Sequence, residues 1–360
     1  MSARLEIHLD AIRQNVRTLA ALASPARTMF AVKADGYGLG MLPVARAGLE
    51  GGADSLAVLD VPAALSLRAA GIDVPLFAWL HGVDTDFRSA IDADIDLGVS
   101  SLNELSRIAA AGADHPARVH LKIDTGLHRN GADPETWPAL VAAARALHDH
   151  EVIHIAGLWS HLADASPADD AAALAEFHSA IAVAAALGVP TEGSDRPLLH
   201  LAASSAGIRM PEGRFDLVRF GIAAYGVSPF DDVDGPGLGM RGPVTLYAEV
   251  IALGDGIAVL DVGSADGLPP SVLGPSGSGA EVQLAGTRAR VIAVDVDTLT
   301  VAVPADLEVS LGDEAIVYGP GEHGEPSVED WASWSGSIGD EILARASRRI
   351  PRVYRDADAG

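Results

Sequence analysis

The feature that most constrains this chain is a recurrence. Between residues 28 and 225, short apolar runs alternate with Ala- and Leu-rich stretches, each run about one βα unit from the next. Eight runs read as strands: 29–33, 56–59, 76–79, 95–99, 119–123, 153–159, 198–201 and 217–220. Strands buried on both faces need such near-continuous apolar runs. The stretches between them read as helices; Ser101, for example, stands where its hydroxyl can cap the helix that follows. Eight strand–helix units in series predict a (β/α)8 TIM-like barrel.

After Pro229 the texture changes. Asp231-Asp232-Val233-Asp234-Gly235-Pro236-Gly237 is a turn-rich linker, and the β-branched runs 289–303 and 315–318 lie beyond it, separated by Gly, Pro and Ser. These predict a mostly β C-terminal domain over 236–360 behind a barrel domain over 1–235. Residues 4–9 alternate like a strand, precede a helix capped by Asp10, and could join either domain. Segment 269–279 reads as a loop and the residues after Tyr354 as a frayed tail.

Hydrophobic residues make up 49% and charged residues 21% of the chain, the composition of a globular protein. The net charge of −24 repels phosphate backbones and anionic lipid, so neither nucleic acid nor a membrane surface is expected as a partner. The absence of cysteine excludes disulfides, thiolate metal sites and cysteine nucleophiles, and no metal is expected. The N-terminus lacks the apolar stretch of a secretory signal, and runs such as 181–187 are far too short to span a bilayer. A cytoplasmic protein is expected.

Lys33, in Phe30-Ala31-Val32-Lys33-Ala34-Asp35-Gly36-Tyr37-Gly38, ends the first predicted strand, where barrel enzymes place catalytic groups. Flanked by apolar residues, it is partly desolvated, which suits its amine to Schiff-base chemistry. Taken alone, a lysine covering the barrel rim with its stem is the commoner arrangement. Three further groups follow strand ends: Arg129 in His120-Leu121-Lys122-Ile123-Asp124-Thr125-Gly126-Leu127-His128-Arg129, His161 in Trp159-Ser160-His161, and Ser204 in His200-Leu201-Ala202-Ala203-Ser204-Ser205-Ala206. The segment Leu217-Val218-Arg219-Phe220-Gly221-Ile222-Ala223-Ala224-Tyr225-Gly226 closes the barrel pattern, and Arg349-Ile350-Pro351-Arg352-Val353-Tyr354 lies near the C-terminus.

Taken in this order, these motifs resemble those of the alanine racemase family, and the resemblance spans nearly the whole chain. It implies an enzyme dependent on pyridoxal 5′-phosphate (PLP) that interconverts L- and D-alanine or another small amino acid as a homodimer. Lys33 then matches the lysine that holds PLP covalently and serves as one of two bases. Tyr37, Ser204, Gly221, Ile222 and Tyr354 match phosphate-binding positions. His161 matches the histidine that packs on the cofactor ring, and Arg219 the arginine that donates to its pyridine nitrogen. Arg129 matches the residue facing the substrate carboxylate, a role for which a guanidinium fork is suited. Lys122 matches a lysine that is often carbamylated and braces that arginine.

The pattern breaks in the second domain. Racemisation needs a base on each face of the α-carbon. The resemblance places the second as a tyrosine from the partner subunit, about twenty residues before a Gly-Tyr-Ala-Asp-Gly motif. Here that motif reads Gly263-Ser264-Ala265-Asp266-Gly267, and residues 251–262 hold no tyrosine; Tyr247 is the nearest, in a predicted strand. A Met-Asp pair expected of the partner is replaced by Ala293-Val294-Asp295-Val296-Asp297-Thr298. Three functions therefore stand open: a racemase, a single-base PLP enzyme such as a transaminase or decarboxylase, and a non-catalytic PLP-binding protein.

Overall fold

Each of the eight apolar runs forms a strand in the computed structural model, which describes residues 3–274 and 279–356. The chain divides into two compact units. One comprises Leu19–Lys33 and Gly52–Gly221; the other comprises Met1–Thr18, Ala34–Gly51 and Ile222–Gly360. It passes from one to the other four times, at Thr18/Leu19, Lys33/Ala34, Gly51/Gly52 and Gly221/Ile222.

The chain opens with β1 (Arg4–His8) and helix Leu9–Ala23. The barrel strands follow: β2 (Arg27–Ala31), β3 (Ser55–Val58), β4 (Leu76–Ala78), β5 (Ile95–Val99), β6 (Ala117–Lys122), β7 (Ile153–Trp159), β8 (Leu198–His200) and β9 (Leu217–Phe220). Every neighbouring pair from β2 to β8 is parallel, and β9 pairs with β2. Backbone bonds from Asp216 N to Leu199 O (3.0 Å) and from Arg219 N to Ala202 O (3.1 Å) close the ring between β8 and β9. Met29, Ala31, Ala57, Phe77, Trp159 and Leu217 form a buried apolar cluster contributed by five of these strands. A fully buried side chain as large as Phe77 contributes about 1.5–3 kcal/mol. Ser101 caps helix Leu102–Ala109, its Oγ accepting from Glu104 N at 3.2 Å.

In the other unit, β10 (Val244–Gly254), β11 (Ile257–Leu260), β12 (Glu281–Leu284), β13 (Thr287–Val294), β14 (Leu299–Ala302) and β15 (Glu314–Tyr318) are antiparallel. Because β10 pairs with both β11 and β15, they close in the order β10-β11-β14-β13-β12-β15. β1 adds antiparallel to β10, so residues 4–8 belong to this sheet, and β16 (Arg352–Arg355) adds parallel to β1.

The structure corrects one expectation and adds detail to two others. Asp10 is not a cap but the second residue of its helix, and its carboxylate accepts from Arg241 Nη1 at 2.6 Å. The segment read as mostly β also holds helices Val328–Ser335, started by a Ser327/Asp330 capping box, and Gly339–Arg345. The loop over 269–279 contains a 3-10 turn at Pro270–Leu273; residues 275–278 of it, and 357–360 of the tail, lie outside the described residues.

Candidate active site

The chain has two lysines, Lys33 and Lys122, and both stand among the candidate site residues. Lys33 is not the last residue of its strand: β2 stops at Ala31, and the half-buried lysine sits two residues on, at the start of an unusual turn. Ala34, Asp35, Gly36 and Tyr37 all have positive φ (52°, 57°, 63° and 52°), which makes a short left-handed turn. L-residues pay about 1–2 kcal/mol each for that conformation. Backbone bonds from Gly38 N to Ala34 O and from Gly40 N to Asp35 O, both 2.9 Å, hold it, and Asp35 Oδ1 accepts from Met41 N at 2.9 Å.

Within the barrel unit, strand ends bring the other candidates together. Arg219 is buried on β9. Its Nη2 donates to Ser160 O (2.8 Å), Leu201 O (3.0 Å) and His161 Nδ1 (3.2 Å), and its Nη1 donates to His200 Nδ1 (3.0 Å). Burial pulls this guanidinium down to about 9, so it remains a cation at neutral pH. Lys122, buried on β6, donates to Asn130 Oδ1 and lies 4.7 Å from the Trp159 ring centroid. Burial, and then the charges of Arg219 and Arg129, bring its amine down to about 7. His161 is held well below the usual imidazole range by burial and by Arg219, Arg129, Lys122 and Lys33 in turn. Arg129 itself is exposed. Ser204, buried at the start of helix Ser204–Arg209, accepts from Gly221 N at 3.1 Å through its Oγ.

The remaining candidates lie in the other unit. Tyr37 is buried against Tyr225, with ring centroids 4.4 Å apart. Tyr354 is 39% exposed, and its hydroxyl donates to Leu39 O at 3.0 Å. Gly40 makes room for it: a Cβ there would lie 2.1 Å from the Tyr354 hydroxyl. Ile222 opens the 3-10 turn Ile222–Tyr225.

Where a second base was sought, β10 and β11 form a tight hairpin. Gly254 pairs with Ile257 across Asp255-Gly256, whose positive φ values (51° and 75°) mark a type I′ turn. Tyr247 lies on β10 beneath the Arg4 guanidinium, 4.1 Å from ring centroid to Cζ. Asp297 pairs with Arg349 at 3.0 Å, and Asp295 is exposed at the β13–β14 turn.

Asp96, His120, Trp159 and His200 pack around Arg219 or connect to it; the last three stand in the sequence motifs without a role, and Asp96 lies outside every motif. The available signal was one polar residue inside each of several otherwise apolar strands, as in Ile95-Asp96-Leu97.

Comparison with known proteins agrees with this architecture. The model of the alanine racemase N-terminal domain matches residues 7–229, and that of the C-terminal domain matches residues 250–354. Alanine racemase of Thermobifida fusca is 41% identical over 381 residues, covering 99% of this chain and 98% of the relative. That aligned stretch is longer than the 360-residue chain, so the relative carries residues that this chain lacks. Alanine racemase of Mycobacterium tuberculosis is 37% identical, covering 99% of this chain and 97% of the relative. Among solved structures, alanine racemase from D-cycloserine-producing Streptomyces lavendulae superposes with a TM-score of 0.93 at 37% identity, over 99% of this chain and 97% of that one. The Streptomyces coelicolor enzyme gives 0.92 at 36% identity, over 98% and 97%. The chain belongs to the alanine racemase family.

Proposed function

We propose that the chain binds PLP and interconverts the enantiomers of a small amino acid, alanine foremost. One observation carries this reading: in a chain that matches the alanine racemase models over both domains, the buried Arg219 donates to His161 Nδ1 at 3.2 Å where the strand ends of the barrel meet. A buried guanidinium beside an imidazole that burial and nearby positive charge hold well below its usual range is electrostatically uphill until an anion joins it. The donor set therefore fits PLP, which brings a phosphate, and an amino acid, which brings a carboxylate. When bound, PLP makes the α-C–H of an attached amino acid acidic.

The chain's own residues divide the remaining work. Lys33 would hold the cofactor and move a proton at one face of the α-carbon. The exposed Arg129 would fork onto the substrate carboxylate. Ser204, Gly221, Ile222, Tyr37 and Tyr354 would hold the phosphate, and His161 would pack on the ring. Arg219 has donors only, so at the ring nitrogen it binds without taking up or releasing a proton. Lys122, about half neutral near pH 7, can add CO2 and release a proton; the resulting carbamate would give Arg129 an acceptor. On this reading residues 1–235 are the cofactor-binding domain and 236–360 the C-terminal domain of a cytoplasmic homodimer, a state that sedimentation would test.

The Asp255-Gly256 hairpin favours a second reading, chemistry on one face only, because residues 251–262 supply no tyrosine. Two experiments separate the possibilities. Borohydride reduction with PLP followed by peptide mapping should label Lys33; label on Lys122 instead would overturn the assignment. Solvent deuterium should then enter the α-position of both D- and L-alanine. Exchange of one enantiomer alone would establish single-face chemistry, and exchange of neither would establish a PLP carrier.

A further inference from the structure

Inside the barrel unit, four side chains join end to end. Arg219 Nη1 donates to His200 Nδ1 at 3.0 Å, His200 Nε2 lies 2.8 Å from His120 Nδ1, and His120 Nε2 lies 3.0 Å from Asp96 Oδ2. The other Asp96 oxygen accepts from Arg118 Nε at 2.6 Å. His200 is 0% and His120 1% exposed, so bulk solvent does not reach either ring.

The direction of every bond follows from the chemistry of the ends. A guanidinium has five donors and no acceptor. His200 Nδ1 must therefore be the bare nitrogen, and the ring proton sits on Nε2. That proton points at His120 Nδ1, which must also be bare, so the proton of His120 sits on Nε2 and is donated to Asp96. Both rings are neutral, and the charge pair is Arg219 with Asp96, joined through two imidazoles. Asp96 is suited to the end position. Burial alone would raise its carboxyl, but hydrogen bonds from His120 and Arg118 outweigh that and hold it down to about 2.

The fold is built around this line. His200 stacks on Trp159 with ring planes 5° apart, and Phe77 packs on both imidazoles. The β6–β7 register slips by one residue between Val119 and His120, which sets Gly157 opposite His120. A Cβ at Gly157 would stand 2.1 Å from His120 Nδ1, so glycine at that position is what admits the ring.

We infer that Asp96 is a positioning residue for Arg219: through His120 and His200 it fixes which guanidinium N–H is held inside the barrel and hence how the arginine presents itself to the cofactor. The last step rests on the PLP reading above; the tautomers do not. The test is a long-range 1H–15N spectrum of the full chain labelled in histidine, with the two rings assigned through His120→Asn and His200→Asn. Both should be neutral with the proton on Nε2. Asp96→Asn keeps the volume but replaces one acceptor oxygen with a donor, so at least one ring should move to the Nδ1–H form. In PLP-loaded protein the same variant should lose about tenfold in kcat with KM little changed, the scale typical of partners that orient a functional ligand. A native ring bearing Nδ1–H or a second proton would overturn the inference. So would a folded Asp96→Asn protein with both tautomers and kcat unaltered. Failure of the PLP reading would show separately, as no borohydride label on Lys33.

Discussion

Lys122→Met removes a charge from the barrel interior and keeps most of the side-chain volume, so it isolates the cost of holding that charge there. The amine falls from the ordinary lysine value of 10.5 to about 7, through burial first and the Arg219 and Arg129 charges second. At 1.36 kcal/mol per pH unit, the difference corresponds to roughly 4–5 kcal/mol of disfavoured charge. The sign follows from proton counting. Between pH 7 and 10.5 the unfolded chain holds a proton on this lysine that the folded chain has released, so native stability rises with pH across that window. Below about 7 both states hold it, and the full cost is present. The variant should therefore be more stable than the native chain by about 2–4 kcal/mol at pH 6.5, once the lost Asn130 partner is allowed for. That advantage should shrink toward pH 10. Urea unfolding of both proteins at a series of pH values, under CO2-free gas, measures it. A stability difference that does not change with pH would refute the reasoning, and so would a destabilised variant at pH 6.5.

Three further outcomes are expected. Gly157→Ala forces a methyl against a ring whose two nitrogens are both engaged, and should cost about 2–4 kcal/mol in denaturant unfolding; a loss below about 0.5 would mean that the ring has another place to go. Arg219→Glu should let the cofactor's ring nitrogen take a proton, visible as a new long-wavelength absorbance band when substrate is added; an unchanged spectrum would place Arg219 away from that nitrogen. Racemase turnover with PLP saturating should lie roughly 10²- to 10⁴-fold below that of a relative with a base on each face, or about 3–5 kcal/mol of barrier. Turnover equal to such a relative's would mean that a group other than a tyrosine in 251–262 supplies the second base.

The barrel was legible because its strands are apolar on both faces, and that signal is local. Three runs, 95–99, 153–159 and 217–220, coincide with β5, β7 and β9. The turn after β2 was not legible: glycine announces a left-handed residue at Gly36, but nothing in Ala34, Asp35 or Tyr37 does. Likewise, the closure of β10 through β15 depends on antiparallel pairings between distant residues, which leave no periodic trace. The candidate residues around Arg219 were legible through motifs. The line from Arg219 to Asp96 was not, because its members come from four strands and meet only when those strands take a particular register.

The Asp255-Gly256 hairpin has a consequence for how this chain could change. Its tip, from Ile251 to Gly256, is exposed, and loop-closure entropy grows only with the logarithm of length. Lengthening the two-residue turn to about sixteen residues is three doublings, or about 2 kcal/mol. Such an insertion needs no rearrangement of the strands on either side. The hairpin can thus accept a longer turn at small cost, by design or by drift, while the strands that carry it stay paired as they are.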